Sequence, residues 1–259
     1  MPARAIWKGA ISFGLVSIPV KTYGAIQEHK TGMKMLCPKC KSPLQYKRFC
    51  PKGHGEIPWD DIIKGYEIQR GKFIPLTKTD LEKIEFKAGR LIEIFQFVDL
   101  DNLDPIYFDN SYYLVPDANG EKPYFLLRQA LEEYNKIALG RFVFHEKEHL
   151  VALRPYEGAV LMETLHYADE IRTPQEFTEL KTPVSVDKEE LELAGQLIRI
   201  LKKPFAYKEY KDRYQEALAQ LVDAKSKGEE FVEVKIPEIK PTKDLMETLK
   251  ASIRAQSKR

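Results

Sequence analysis

The feature that most constrains the fold is a long succession of short, strand-like segments in the first 185 residues. The segment from Ile11 to Val20 is rich in β-branched and aromatic residues, and Gly14 and Pro19 within it predict a bent or edge strand. Further strand candidates, most of them separated by Gly, Pro, Asn or Asp, lie at 72–76, 90–98, 111–115, 141–145, 150–153 and 159–167. So many short strands predict a barrel or a sandwich.

Two helices are predicted to interrupt this β-rich part. A short one starts near Thr79. A longer one is predicted from Pro123 to Leu139, because its apolar residues recur at helical spacing and Gly140 follows as a stop signal.

The composition changes after Pro183, where helical patterns replace strand patterns. Asp187, with Glu190 three residues later, marks a helix start, and further helices are predicted over 207–224 and from Thr242 onward. We therefore expect an α+β protein, with a β core at 1–185 and a helical C-terminal arm and terminal helix at 186–259.

The charge of the chain is unevenly distributed. The formal net charge is only +2, yet residues 1–60 hold ten Lys or Arg against three Asp or Glu. A basic quarter on a nearly neutral body indicates either a surface that faces a polyanion or an ordinary solvated basic face. No apolar run approaches a membrane span, and the N-terminus lacks the apolar stretch of a signal peptide, so a cytoplasmic protein is expected.

The strongest local motif is a cysteine cluster. The three cysteines of the chain are Cys37, Cys40 and Cys50, and His54 follows four residues after the last of them. A CxxC pair followed by Cys-x₃-His offers four tetrahedral ligands and leaves no open position, which is typical of structural zinc. We predict a zinc-binding insert at 37–54, the alternative being a reduced CxxC with an incidental third Cys and His.

A second motif invites a different interpretation. His145-Glu146-Lys147-Glu148-His149 matches H-E-x-x-H, the metalloprotease motif, which binds zinc only when it lies on a helix. The flanking residues are strand-like, so the pattern predicts a β-hairpin tip. Phosphate-binding loops of the common kinds and a G-x-S-x-G nucleophile elbow are both absent from the sequence. No enzyme activity is expected.

Several separate stretches resemble prokaryotic Ku proteins in the same order. They are RAIWKGAISFGLVSIPV (4–20), DIIKGYE (61–67), EHLVALRP (148–155), LHYADEI (165–171) and DLMETLKAS (244–252). The resemblance covers essentially the whole chain. It implies a β-barrel core with helical arms, a homodimer that forms a ring around double-stranded DNA ends, and a role beside an ATP-dependent ligase of the ligase D type in non-homologous end joining on the nucleoid.

A ring of this kind binds phosphates and needs no base-reading element. The basic residues predicted to contact DNA lie in or beside the basic N-terminal quarter. They are Arg4, Lys8, Lys21, Lys47 and Arg48.

Three functions remain open from the sequence. The first is the DNA-end clamp. The second is an interaction or transcription-associated protein in which the insert at 37–54 is the functional module. The third is a zinc protease, which requires His145 and His149 on one helix.

Overall fold

The computed structural model describes residues 4–27, 32–84, 90–144, 147–182, 184–229 and 245–256. The chain divides into two compact units, Met1–Thr173 and Pro174–Arg259. The predicted boundary between residues 185 and 186 stays a prediction.

The first unit is built on a closed seven-stranded barrel. The strands are β1 (Trp7–Phe13), β2 (Val16–Gly24), β5 (Leu91–Val98), β6 (Phe108–Pro116), β7 (Ile137–Phe144), β8 (Lys147–Tyr156) and β9 (Ala159–Leu165). Its strands are ordered β1-β2-β6-β9-β8-β7-β5, and a parallel pairing of β1 with β5 closes the barrel while the other neighbours are antiparallel. Closure removes both sheet edges, so every barrel strand has a hydrogen-bonded neighbour on each side. This confirms the predicted barrel and the α+β class.

Alternating residues of these strands fill the barrel with apolar side chains such as Ile11, Val20 and Leu114. Helix α2 (Glu121–Glu133) adds Tyr124 to this core. Its hydroxyl donates to the Leu114 carbonyl at 2.6 Å and accepts from the Val160 N–H at 2.8 Å, so the buried phenol is satisfied on both sides. Burial raises the pKa of Tyr124.

Two sequence predictions about the barrel are wrong. The single bent strand from Ile11 to Val20 is in fact the end of β1, a turn, and the start of β2, because Gly14 adopts φ +56° and reverses the chain. The helix predicted to reach Leu139 ends at Glu133. Asn135 adopts φ +50°, and the next residues pair with β5 and β8 as strand β7.

A long insertion joins β2 to β5. It holds two isolated bridges, Leu36 with Pro43 and Phe49 with Glu56, then the hairpin of β3 (Lys64–Gln69) and β4 (Lys72–Leu76) and the predicted short helix α1 (Lys78–Ile84). Strand β3 was not predicted. No residue between 32 and 76 is buried. Because an isolated two-stranded hairpin is marginal in water, this segment needs a covering surface from outside itself.

The second unit contains helices α3 (Lys188–Leu201), α4 (Arg213–Lys227) and α5 (Leu245–Gln256). The predicted start of α3 is confirmed, because Asp187 and Glu190 form a reciprocal capping box. Helix α4 begins six residues after the predicted Tyr207, where Asp212 caps two N–H groups, and Gly228 caps its C-terminus. The predicted cap Thr242 lies outside the described residues.

Packing in this unit is shallow. Helices α3 and α5 pack against each other, and Lys250 lies 3.5 Å from Glu189 across that contact. In the described parts of residues 174–259 no side chain is buried. Every helix in the described part of the chain is too short or too polar to cross a membrane.

Candidate nucleic-acid interface

The first half of the cysteine cluster forms a tight turn. The Cys37 N–H donates to the Ser42 carbonyl at 2.9 Å, and the Lys41 N–H donates back to the Cys37 carbonyl at 2.8 Å. Hydrogen bonds with Ser42, and then with Cys37, lower the pKa of the Cys40 thiol to about 7. This turn therefore places two thiols together and favours the thiolate form that binds metals.

The second half has the same construction. The Cys50 N–H donates to the Gly55 carbonyl at 3.0 Å, and the Gly53 N–H donates to the Cys50 carbonyl at 3.1 Å. Gly53 and Gly55 both have positive φ, which a turn this tight requires. Cys50 Sγ lies 3.4 Å from His54 Nδ1.

The structure thus brings the four predicted zinc ligands together as two pairs. Among the residues described, no group of three or more Cys, His, Asp or Glu side chains is close enough to share an ion. Three sulfurs and one imidazole have the donor chemistry that zinc prefers, but the complete tetrahedral set is not assembled. The zinc site stays a prediction.

The predicted DNA-binding residues fall into two groups, the first on the barrel. Arg4 is exposed just before β1, and Lys8 on β1 lies directly opposite Lys21 on β2. Both lysines are on the outer face, because the alternate residues Ile11 and Val20 are buried in the barrel. The structure therefore places two cations side by side on the barrel surface.

An acidic residue moderates this lysine pair. Asp117, just after β6, accepts from Lys21 Nζ at 2.6 Å. That hydrogen bond raises the pKa of Lys21. Together with the Ala118 N–H and the charges of Lys21 and Lys8, it lowers the pKa of Asp117. Near neutral pH the two lysines and Asp117 carry a net charge of about +1.

The second group lies in the insertion. Lys47 pairs with Glu56 at 2.8 Å, and the Arg48 guanidinium lies 4.0 Å from the centre of the Trp59 ring. Stacking of this kind leaves the edge of the guanidinium available for a phosphate. Sequence reasoning missed Trp59, which the sequence shows only as an aromatic residue followed by Asp60 and Asp61.

The H-E-x-x-H motif does not form a metalloprotease helix. Strands β7 and β8 form an antiparallel hairpin, with Phe142 opposite His149 and Phe144 opposite Lys147. The predicted hairpin is confirmed on both sides of its tip, while His145 and Glu146 lie outside the described residues. With His149 in a strand, the helical ligand arrangement that the protease alternative requires is not formed.

A feature that sequence reasoning missed is an apolar cavity of about 440 Å³ between the β1–β2 turn and α2. Beside it, Leu15 is fully exposed. The available signal was a leucine directly after Gly14, but a turn at this position was not predicted.

The sequence of this chain is similar to sequences of known proteins. Residues 12–193 match the family model described as the Ku70/Ku80 beta-barrel domain. The chain is 43% identical over 253 residues to a protein of Archaeoglobus fulgidus named non-homologous end joining protein Ku, covering 97% of this chain and 99% of that protein.

Bacterial proteins with the same name are also similar. One from Symbiobacterium thermophilum is 43% identical over 254 residues, which cover 97% of this chain and 63% of that protein. One from Bacillus subtilis is 37% identical over 253 residues, with 96% and 81% covered.

Proposed function

This chain belongs to the Ku β-barrel family, and we propose that it binds the ends of double-stranded DNA, without regard to sequence, in non-homologous end joining. Proteins of this family are DNA-binding scaffold proteins and not enzymes. Binding to chromosomal breaks would place the protein on the nucleoid, in the cytoplasm.

The observation that carries this proposal in the structure is the Lys8–Lys21 pair on the outside of a closed barrel. Lysines bind phosphates as point charges and carry no base-reading geometry, which suits a sequence-independent protein. Arg48, stacked on Trp59 in the insertion, is a second phosphate-binding candidate. Arg4 and Lys47 complete the proposed set.

We further propose that two copies form a ring around the DNA. Two segments contain no buried side chain: residues 32–76 and the described parts of 174–259. This supports a second copy that would cover them. Large apolar residues such as Tyr66, Phe73 and Phe205 are more than half exposed. A two-fold dimer would cover both segments with surfaces of an identical chain.

The test of end binding compares one duplex in three forms, at fixed moderate salt: linear, linear with bulky blocked ends, and covalently closed as a circle. A ring that threads onto ends is expected to bind the linear form, to load more copies as the duplex lengthens, and to bind the other two poorly. Equal binding to all three forms would contradict threading. No binding to any form would favour the alternative in which the insert at 37–54 is a protein-interaction module.

We also propose that Cys37, Cys40, Cys50 and His54 hold one structural zinc ion, which when bound would tie the two turns of the insertion together. Cys37→Ser and Cys50→Ser are each expected to remove the zinc and lower the melting temperature by about 4 °C or more, because metal binding contributes to folding free energy.

Mass spectrometry measures the zinc content, and thermal unfolding measures the melting temperature. Each substitution should lower the stability before it lowers the affinity for DNA. Lys39→Ser is the matched control, since it places the same residue between the two ligands of the first turn. A wild-type chain without bound zinc, and variants as stable as the wild type, would be evidence against the site.

The final part of the proposal is recruitment of an ATP-dependent DNA ligase of the ligase D type through the C-terminal unit. Helix α5 packs against α3, and its side chains Met246 and Leu249 are half-buried. The polar side of α5 is therefore left for a partner. Deleting residues 240–259 is expected to leave end binding intact and to weaken stimulation of ligation several-fold.

Ligation of linear DNA by such a ligase, with and without the protein, measures this effect. Arg254→Glu keeps α5 in place while reversing one exposed charge, and so separates loss of the helix from loss of its surface. Unchanged stimulation by the truncated chain would remove α5 as the recruiting element.

A further inference from the structure

The apolar cavity near α2, called the α2 pocket below, is a built feature of the barrel unit. Its walls come from the β1–β2 turn, from β5 and from α2, and its volume is about 440 Å³. This is within the usual range of binding pockets. The residues that line it include Phe13, Val16, Phe97, Leu126, Ala130 and Tyr134.

A knob lies directly beside this hole. Phe13 and Val16 are the last pair of the β1–β2 hairpin and both line the pocket. Between them Gly14, at φ +56°, turns the chain and leaves Leu15 with a relative exposure of 106%. Leu15 is therefore held on a short hairpin turn, next to the pocket but not in it.

Two cations at or near the pocket are paired within the chain. Lys136 lines the pocket and pairs with Asp99, and Arg128 on α2 pairs with Glu132. When such a face meets a copy of itself, it brings together two sets of neutral pairs and not two like charges.

We propose that the α2 pocket and Leu15 form an isologous contact between two copies of this chain, in which each Leu15 enters the pocket of the other copy. A two-fold axis between knob and hole satisfies both at once, as an isologous interface requires. The exposed Leu126 and Tyr134, at 69% and 70%, extend the apolar area around the contact. This inference deepens the proposed function and rests on it, because it assigns one of the surfaces through which the two copies of the ring associate.

The first experiment measures the dimer dissociation constant by sedimentation velocity without DNA. Leu15→Glu places a charge on the knob, and Ala130→Trp fills the hole. Each is expected to weaken the dimer about a hundredfold or more, because each removes both halves of a two-fold contact. Ile106→Glu, at a residue 57% exposed elsewhere in the same unit, is the matched control and should leave the constant unchanged.

Mixing the two variants provides a second measurement that misfolding cannot imitate. The Leu15→Glu chain keeps its pocket and the Ala130→Trp chain keeps its knob, so a mixed pair regains one of the two halves. The equimolar mixture is expected to dimerise at least about tenfold more tightly than either variant alone.

Three outcomes would overturn the inference: a wild-type chain that is monomeric at micromolar concentration, variants that dimerise like the wild type, or a mixture no tighter than its components. Failure of the proposed function has a different signature. It would appear as equal binding of the wild-type chain to linear, blocked and circular DNA, whatever its dimer constant.

Discussion

Replacing Lys8 and Lys21 together by glutamate is expected to lower the affinity for linear DNA about a hundredfold or more near 0.1 M salt. The two side chains are direct cross-strand neighbours on the barrel surface, so the double change reverses one continuous patch. Each lost phosphate contact removes the counterion release that drives binding. The slope of log affinity against log salt should become shallower by about two for each copy that contacts the DNA. Titrations of a labelled duplex at several salt concentrations measure both quantities.

The matched control for this double variant acts in the opposite direction. Asp117→Asn keeps the acceptor for the Ala118 N–H but removes the carboxylate that neutralises Lys21, and so raises the charge of the patch by one. Affinity should rise several-fold and the salt slope should steepen by about one. If neither variant changes the affinity or the slope, these lysines lie away from the DNA. Arg48 in the insertion then becomes the leading candidate for the phosphate contact.

Replacing Gly9 by alanine is expected to lower the free energy of unfolding by about 3 kcal/mol. A Cβ on Gly9 would lie 2.1 Å from the Arg90 carbonyl oxygen and 2.3 Å from the Trp7 ring. The same carbonyl accepts from the Ala10 N–H at 2.8 Å, where β1 meets β5 and the barrel closes. The added methyl group therefore separates the two strands at the seam of the barrel.

Chemical unfolding of this variant beside Gly65→Ala gives the comparison. Gly65 is also a strand glycine, but a Cβ there would meet Phe73 at an ordinary 3.5 Å, so its replacement should cost less than about 1 kcal/mol. Equal stability of the Gly9→Ala variant and the wild type would mean that β1 and β5 are further apart in solution than in the structure.

Local signals in the sequence predicted part of the candidate site. The CxxC and Cys-x₃-His spacings predicted two ligand pairs, and each pair forms because its turn is closed by hydrogen bonds within six residues. The distance between the pairs depends on how the two turns pack, which spacing does not report. The same limit applies to the lysines: a basic N-terminal quarter was visible, but not Asp117, which lies almost a hundred residues after Lys21 in the chain.

The errors in the secondary structure have one physical origin. Most of residues 11–20 favour strand, and Gly14 and Pro19 indicated only a bend, so local preference alone did not place the turn at Gly14 and Leu15. Ile137, Ala138 and Leu139 continue the helical spacing of α2, yet they gain more from pairing with β5 and β8 on both sides. In both cases contacts distant in sequence overrode a local pattern.

By itself the sequence determined what short-range interactions control: the β-rich class of the first part, the capped start of α3, the two cysteine turns, and the hairpin in place of a protease helix. Only the tertiary structure decided the strand order, the parallel seam between β1 and β5, the alignment of Lys8 with Lys21, and the α2 pocket beside Leu15. These features join residues tens of positions apart, and their free energy comes from burial and pairing that exist only once the barrel has closed.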